Sequence, residues 1–148
     1  MDNDFIAAIF EGNLTYILSH MEEVSQGVLG EGLYTACCQN RVNIASALLN
    51  AGADIWAVGL FEAAENGHLE IVKLLVGAGA DIHRAQDYPL RWAVRNGHLG
   101  VVRFLLEAGA DINARDGMAL RWAEKYGHAD IAELLKRGTR EYKYKELP

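Results

Sequence analysis

Apolar positions recur with the period of a helix in a stretch that the chain repeats. Residues 96–112 match residues 66–82 at eleven of seventeen positions, thirty residues apart. Within the later copy, the apolar residues fall on one side of a helix. They are Leu99, Val101, Val102, Leu105 and Leu106. This pattern predicts a helical protein that is built from an internal repeat.

A two-residue turn recurs five times and sets the register of the repeat. An alanine lies four positions before each turn, and an apolar residue lies three positions before that alanine. A small residue at a fixed helical position allows two helices to approach closely. Each repeat is therefore predicted to be a short helix, a tight turn, a second helix and a loop. The turns are Gly12-Asn13, Asn40-Arg41, Gly67-His68, Gly97-His98 and Gly127-His128.

The repeats are predicted to form one domain over residues 1–137. Glycines at 52, 79 and 109 follow the second helices, where a left-handed helix end is favourable. Three glycines between Ser25 and Gly32 predict a longer loop there. Residues 138–148 lack the repeat pattern and are predicted to be a basic, mobile C-terminal extension. The predicted repeats span residues 3–29, 30–57, 58–86, 87–116 and 117–137.

Charge and composition restrict the function classes. The net charge is −6, and the first forty residues carry six acidic side chains and no Lys or Arg. An acidic body repels phosphate, so nucleic-acid binding is unlikely. The sequence has no apolar run of the length that a membrane helix needs, and its start is acidic where a secretory signal is basic. Cys37 and Cys38 are neighbours that cannot easily pair, which predicts free thiols in the cytoplasm.

The histidines and cysteines do not form a catalytic or metal-binding pattern. His68, His98 and His128 occupy the same turn in successive repeats, about 10 Å apart, which is too far for shared zinc ligation. Cys37 follows a repeating alanine and is interpreted as a core thiol. Gly77-Ala78-Gly79 lies at a helix end and not before a helix, so it does not indicate a phosphate loop. We expect no catalytic site, no cofactor and no metal.

Two tryptophans and a set of charged residues leave two interpretations open. Trp92 and Trp122 share one helix position, and they could pack between first helices or serve as interface anchors. The residues just before the turns vary from Glu65 to Arg95 and Lys125. Opposite charges in adjacent repeats could pair with each other. Alternatively, the cationic half could dock an acidic protein segment.

The fourth repeat resembles the ankyrin repeat. The resemblance rests on Tyr88-Pro89-Leu90-Arg91, Ala93, Gly97-His98-Leu99, Val101-Val102, Leu105-Leu106 and Gly109-Ala110-Asp111. It covers about residues 3–137 and implies an all-α, ankyrin-type helical repeat solenoid of about five repeats. It also implies that the turn histidines bond nearby backbone. Family repeats average about 33 residues, whereas the turns here are 27 to 30 residues apart, so the hairpin loops should be stunted.

The short repeats with Leu-Arg-Trp-Ala and Asn-Gly-His-Leu are also similar to ankyrin proteins of giant DNA viruses and amoebae. A viral origin would place the protein in the host cytoplasm. The resemblance implies a non-catalytic protein-binding module that is monomeric without its partner. That partner is another protein, with an acidic segment as one possibility.

The binding surface is expected on the concave face and the short loops, at positions where the copies differ. Two alternatives stay open, namely a self-associating scaffold and a weak binder of nucleic acid or acidic surfaces through the basic tail. The expected protein-binding residues are Glu62, Glu65, Arg84, Gln86, Tyr88, Arg91, Trp92, Arg95, Arg115, Arg121, Trp122, Lys125 and Tyr126.

Overall fold

The computed structural model describes the backbone of residues 2–54 and 57–145 and the side chains of 2–54 and 59–138. Within these residues the chain forms ten α-helices and no strand, which confirms the predicted all-α fold. None of the described helices is both long and apolar enough to cross a membrane.

The helices alternate as the first and second helices of five repeats, in the order that the recurring turn predicts. The first helices are α1 (Asp2–Glu11), α3 (Gln26–Cys38), α5 (Ala57–Glu65), α7 (Arg84–Arg95) and α9 (Ala114–Lys125). The second helices are α2 (Leu14–His20), α4 (Val42–Asn50), α6 (Leu69–Gly77), α8 (Leu99–Glu107) and α10 (Ala129–Lys145).

The chain divides into two compact units, each with its own buried core. The first contains the residues up to Ala63 and His68–Asp81, and the second contains Ala64–Gly67 and the chain from Ile82. Large, fully buried side chains of the first unit are Phe5, Ile9, Ile17, Leu48, Leu60, Ile71, Val72 and Leu75. Those of the second unit are Leu90, Leu105, Ile131 and Leu135.

The repeating alanines end the first helices. Ala93 O accepts the N–H of His98 at 2.9 Å, and Gly97 between them has a φ of +79°. This is the left-handed helix end that glycine adopts without steric cost. The same bond, at 2.8 Å, follows the other four alanines, which are also buried. The small residue at this position therefore combines close packing with a fixed helix end.

From the second repeat onward, the second residue of the turn also reaches back to the repeat before it. His98 Nε2 lies 2.8 Å from Glu65 O, and His128 Nε2 lies 2.9 Å from Arg95 O. A carbonyl oxygen can only accept, so Nε2 carries the proton. In the first compact unit His68 Nε2 makes the same bond to Cys38 O at 3.2 Å. The structural role that the resemblance implied for these histidines is confirmed.

The second repeat makes this link with an arginine. Arg41 takes the histidine position, and its Nη2 donates to Phe10 O at 2.8 Å. The link therefore requires a donor that can reach the carbonyl, and it does not require an imidazole.

The predicted loop at residues 25–32 is wrong, because α3 begins at Gln26. Ser25 Oγ accepts the N–H of Val28 at 3.4 Å and caps the helix. Gly32 is buried, and a Cβ there would lie 2.8 Å from Ile9 Cδ1. At this position glycine provides room for α1 to pack on α3, and not the backbone freedom of a loop.

The last helix continues past the predicted end of the repeat domain. Helix α10 runs to Lys145, and a Cβ at Gly138 would lie 2.6 Å from Ile112 Cδ1. The chain is therefore still packed against the last repeats where the basic extension was predicted to begin. The side chains of residues 139–148, on which the tail hypothesis depends, lie outside the described residues.

Replacing Gly97 and Gly109 by alanine separates backbone strain from steric clash. Both glycines have positive φ, but a Cβ at Gly97 would lie 2.7 Å from the His128 ring, whereas one at Gly109 meets nothing within 4 Å. We expect Gly109→Ala to lower the free energy of unfolding by about 1 kcal/mol, from strain alone. Gly97→Ala should lower it by about 2–4 kcal/mol, because the displaced imidazole adds to that strain. Urea unfolding measures both, and equal losses would contradict the close approach of His128.

Candidate functional site

Two separate groups of side chains contain most of the predicted binding residues. Twelve of the thirteen lie in the second compact unit, and Glu62 lies half-buried in the first. We name the first group the aromatic–arginine cluster and define it as Tyr88, Trp92, Arg95, Trp122 and Tyr126. The second group surrounds two non-helical segments near the starts of α7 and α9, residues 85–87 and 115–117, which we name the α7 and α9 loops.

Arg95 lies at the centre of the aromatic–arginine cluster. Its guanidinium carbon lies over the Trp92 ring, 4.2 Å from the centroid, and 5.7 Å and 5.8 Å from the Trp122 and Tyr126 centroids. Trp92 and Trp122 meet edge to face at 5.7 Å, and Tyr88 stacks on Trp92 at 5.2 Å. Such contacts hold an arginine in one orientation.

Helical spacing and the repeat length together assemble the cluster. Tyr88, Trp92 and Arg95 are four and three residues apart and share one face of α7. Trp122 and Tyr126 are also four residues apart, with Tyr126 at the end of α9. Helix α7 packs on α9, and the thirty-residue period places Trp122 beside Trp92.

The structure supports elements of both interpretations of the tryptophans. The two rings pack against each other between first helices, yet each remains half-buried and not enclosed. Tyr126 is 42% exposed, and Arg95 is half-buried. The cluster is therefore both a packing contact between repeats and an accessible surface.

The acidic neighbours of the cluster have partners other than Arg95. Glu65 Oε2 accepts the Tyr88 hydroxyl at 3.4 Å, and Glu124 pairs with Lys136 at 2.8 Å. Lys125 Nζ lies 5.5 Å from the Tyr126 centroid, which adds a second positive charge beside the cluster. Across the part of the chain that the structure describes, Arg95 has aromatic contacts and no hydrogen-bond acceptor.

The α7 and α9 loops each consist of three successive left-handed residues. Ala85, Gln86 and Asp87 have φ of 53°, 59° and 55°, and residues 115–117 follow the same course. Three of these six positions carry residues that enter the left-handed region at low cost: Gly117 has no Cβ, and aspartate, present as Asp87 and Asp116, tolerates this region better than most residues. The described loops are tight turns and contain no hairpin strand, which agrees with their predicted shortening.

Arg91 holds the first of these loops from inside. Its Nε donates to Gln86 O and its Nη2 to Ala85 O, both at 2.8 Å, and its Nη1 lies 3.5 Å from Met118 Sδ. Arg91 is only 4% exposed. Burial, followed by repulsion from Arg115, lowers the pKa of its guanidinium. The prediction that Arg91 lies on the binding face is therefore wrong.

Arg121 makes the equivalent contacts on the next loop, but at the surface. Its Nη1 donates to Asp116 O, and its Nη2 donates to Arg115 O at 3.2 Å. The two arginines of the Leu-Arg-Trp-Ala copies thus fasten the loops in front of them. Their identity in both copies could have revealed this, since the residues that the repeats share maintain the architecture.

A surface depression of about 750 Å³ lies between the two loops. Gln86, Arg115 and Arg121, which were predicted to bind, line it, whereas Arg84 is exposed on the first turn of α7. Asp87, which the sequence analysis did not select, also borders the depression. Its buried Oδ1 accepts the N–H of Asp111 at 2.8 Å and lies 3.0 Å from His83 Nδ1. Asp87 thus connects this loop to the backbone that precedes α9.

Cys37 and the acidic and histidine side chains have the surroundings of structural residues. Both cysteines are free thiols, and Cys37 is fully buried, as predicted for a core thiol. Burial, with a smaller contribution from Cys38, raises the pKa of the Cys37 thiol to about 12. In the described residues, no group of three His, Cys, Asp or Glu side chains is arranged to hold a metal ion.

Comparison with known proteins gives one family match. A family model described as ankyrin repeats (3 copies) matches residues 60–144. No curated protein matches the chain.

Removing Arg91 should cost far more stability than removing Arg121. In Arg91→Ala two loop carbonyls lose a buried donor and a cavity forms, so we expect a loss of about 2–4 kcal/mol in unfolding free energy. Arg121→Ala is the matched control, because the same contacts are exposed to water there, and it should lose no more than about 1 kcal/mol. Thermal and urea unfolding measure both. Equal losses would show that the Arg91 contacts contribute no more than surface bonds.

Thiol labelling tests the environment of Cys37. A pKa near 12 leaves about a thousandfold less thiolate at pH 8 than the ordinary value of 9. In a Cys38→Ser variant, which leaves Cys37 alone, we expect no measurable reaction with a thiol reagent until denaturant is added. A Cys37→Ser variant is the control, since half-buried Cys38 should react faster. Equal rates in the folded state would contradict the buried position of Cys37.

Proposed function

The chain belongs to the ankyrin-repeat family, and we propose that it binds a partner protein through the aromatic–arginine cluster. Ankyrin repeats are generally protein–protein interaction modules and are generally non-catalytic. The proposal assigns this general role to one surface of the second compact unit. It also places the protein in the cytoplasm as a monomer when its partner is absent, in keeping with its free thiols.

The observation that carries the proposal is a partly exposed group of four aromatic rings, three of which contact one arginine. Trp, Tyr and Arg are the residues that most often dominate the binding energy of interfaces. Here they form one contiguous group, already ordered by mutual stacking. A surface that is ordered before binding loses less side-chain entropy when a partner docks.

Polar residues around the cluster would form the rim of the interface. Glu65 and Lys125 lie next to it, and the exposed loop residues Arg84, Gln86 and Arg115 lie in the same compact unit. Rim residues contribute less energy than buried anchors and influence specificity and association rate. Arg91 is excluded from the surface because it is buried. Glu62, in the first compact unit, stays a sequence-based prediction.

A variant that changes the exposed part of the cluster tests the proposal. Arg95→Ala, Lys125→Ala and Tyr126→Ala, combined in one chain, should weaken capture of the cellular partner more than about tenfold, as expected when interface anchors are removed. Arg103→Ala is the control, because Arg103 is an exposed arginine on the second helix of the same repeat. Quantitative mass spectrometry of captured proteins gives the measurement.

The comparison requires that the variants remain folded, which circular dichroism and melting temperature can establish. Capture of the same protein at the same level by the triple variant would contradict the assigned surface. Loss of capture by Arg103→Ala alone would move the site to the second helices.

A further inference from the structure

The guanidinium of Arg95 is restricted in the directions from which a ligand can approach. Its carbon lies over the Trp92 ring, 4.2 Å from the centroid, and 5.7 Å and 5.8 Å from the Trp122 and Tyr126 centroids. A guanidinium is planar and carries its five N–H donors around its edge. Aromatic rings that stack on such a group leave that edge as the route to the donors.

These donors have no acceptor among the residues that the structure describes. Arg91, one helical turn earlier, uses its donors on loop carbonyls, whereas the contacts of Arg95 are with rings. Donors in a half-buried position gain most from an acceptor that brings a negative charge. Glu65 and Glu124 have other hydrogen-bond and ion-pair partners, so a ligand from outside is the natural source of that charge.

The open edge fits a planar oxyanion. Two parallel N–H groups of an arginine match the two oxygens of a carboxylate, and this pair is stronger and more directional than a single point contact. The guanidinium carbon of Arg95 and Lys125 Nζ lie 5.8 Å and 5.5 Å from the centroid of the Tyr126 ring, so a second negative charge in the ligand would also be attracted. The overall charge of −6 disfavours long polyanions such as nucleic acids, which interact with the whole surface.

We propose that the partner presents an acidic peptide segment whose aspartate or glutamate carboxylate binds bidentately to the edge of Arg95, with Lys125 attracting a further acidic residue. This inference rests on the proposed function, because it names the chemistry of the ligand at the same surface. It assigns the aromatic rings a positioning role and assigns the direct contact to Arg95.

Nuclear magnetic resonance of the side-chain N–H groups tests the inference. The probes are a hexaglutamate peptide, a hexaglutamine peptide as its neutral counterpart, inorganic phosphate and a short oligothymidine. Hexaglutamate should shift the Arg95 Nε–H signal and the Trp92 and Trp122 indole signals, with an apparent Kd that rises with salt. Hexaglutamine should leave them unchanged.

Arg95→Lys keeps the charge and removes the planar fork, so it should weaken hexaglutamate binding about tenfold or more. Arg103→Lys is the matched control and should bind like the wild type. Unchanged binding by Arg95→Lys would overturn the proposal, and so would phosphate or oligothymidine shifting the same signals at lower concentration than hexaglutamate.

The inference and the proposed function can fail separately. If the triple variant loses the cellular partner and hexaglutamate still does not bind the wild type, the surface binds protein by other chemistry and the acidic-segment inference is wrong. If the triple variant retains the partner while hexaglutamate binds at Arg95, then Arg95 recognises carboxylates, but the assignment of the partner surface is wrong and the partner is not the source of the carboxylate.

Discussion

The architecture within each compact unit depends on a hydrogen bond from the second residue of a turn to a backbone carbonyl of the preceding repeat. His98 and His128 make it in the second unit, and Arg41 and His68 make it in the first. Each bond contributes only about 1 kcal/mol net. The bond also imposes a packing requirement, because the donating side chain lies against the turn of the preceding repeat. This packing explains why Gly67 and Gly97 have no room for a Cβ.

The candidate surface is a consequence of the same register. Because the hydrogen bond joins equivalent positions of adjacent repeats, successive helix pairs are related by a constant displacement. Trp92 therefore contacts Trp122, the residue at the same position of the next repeat. The short loops keep this displacement with few residues because their backbone is left-handed. In the first loop, buried Arg91 holds that backbone with two hydrogen bonds. The stacking of the repeats, the loop conformation and the candidate surface are therefore coupled, although different side chains maintain each of them.

The sequence allowed the repeat architecture to be predicted because glycine, alanine and turn residues recur at fixed spacing. Recurrence was less informative where one residue type can serve two purposes. Gly32 of α3 provides space for packing, yet in the sequence it resembles a loop residue. Arg91 is charged and was expected at the surface, but it is buried because three successive left-handed residues turn carbonyls towards it. Backbone conformations of that kind, in residues other than glycine, have no reliable sequence signal.

The hydrogen bond between repeats is accepted by a backbone oxygen, which determines the substitutions that this bond tolerates. The carbonyls of Phe10, Cys38, Glu65 and Arg95 all accept such a bond, although their side chains have nothing in common. A mutation at this position leaves the bonding group in place, because every amino acid supplies the same oxygen. Evolution can therefore replace a side chain that contacts a partner without removing the hydrogen bond between repeats. The residue that supplies this carbonyl is constrained in its main chain, whereas its side chain can vary.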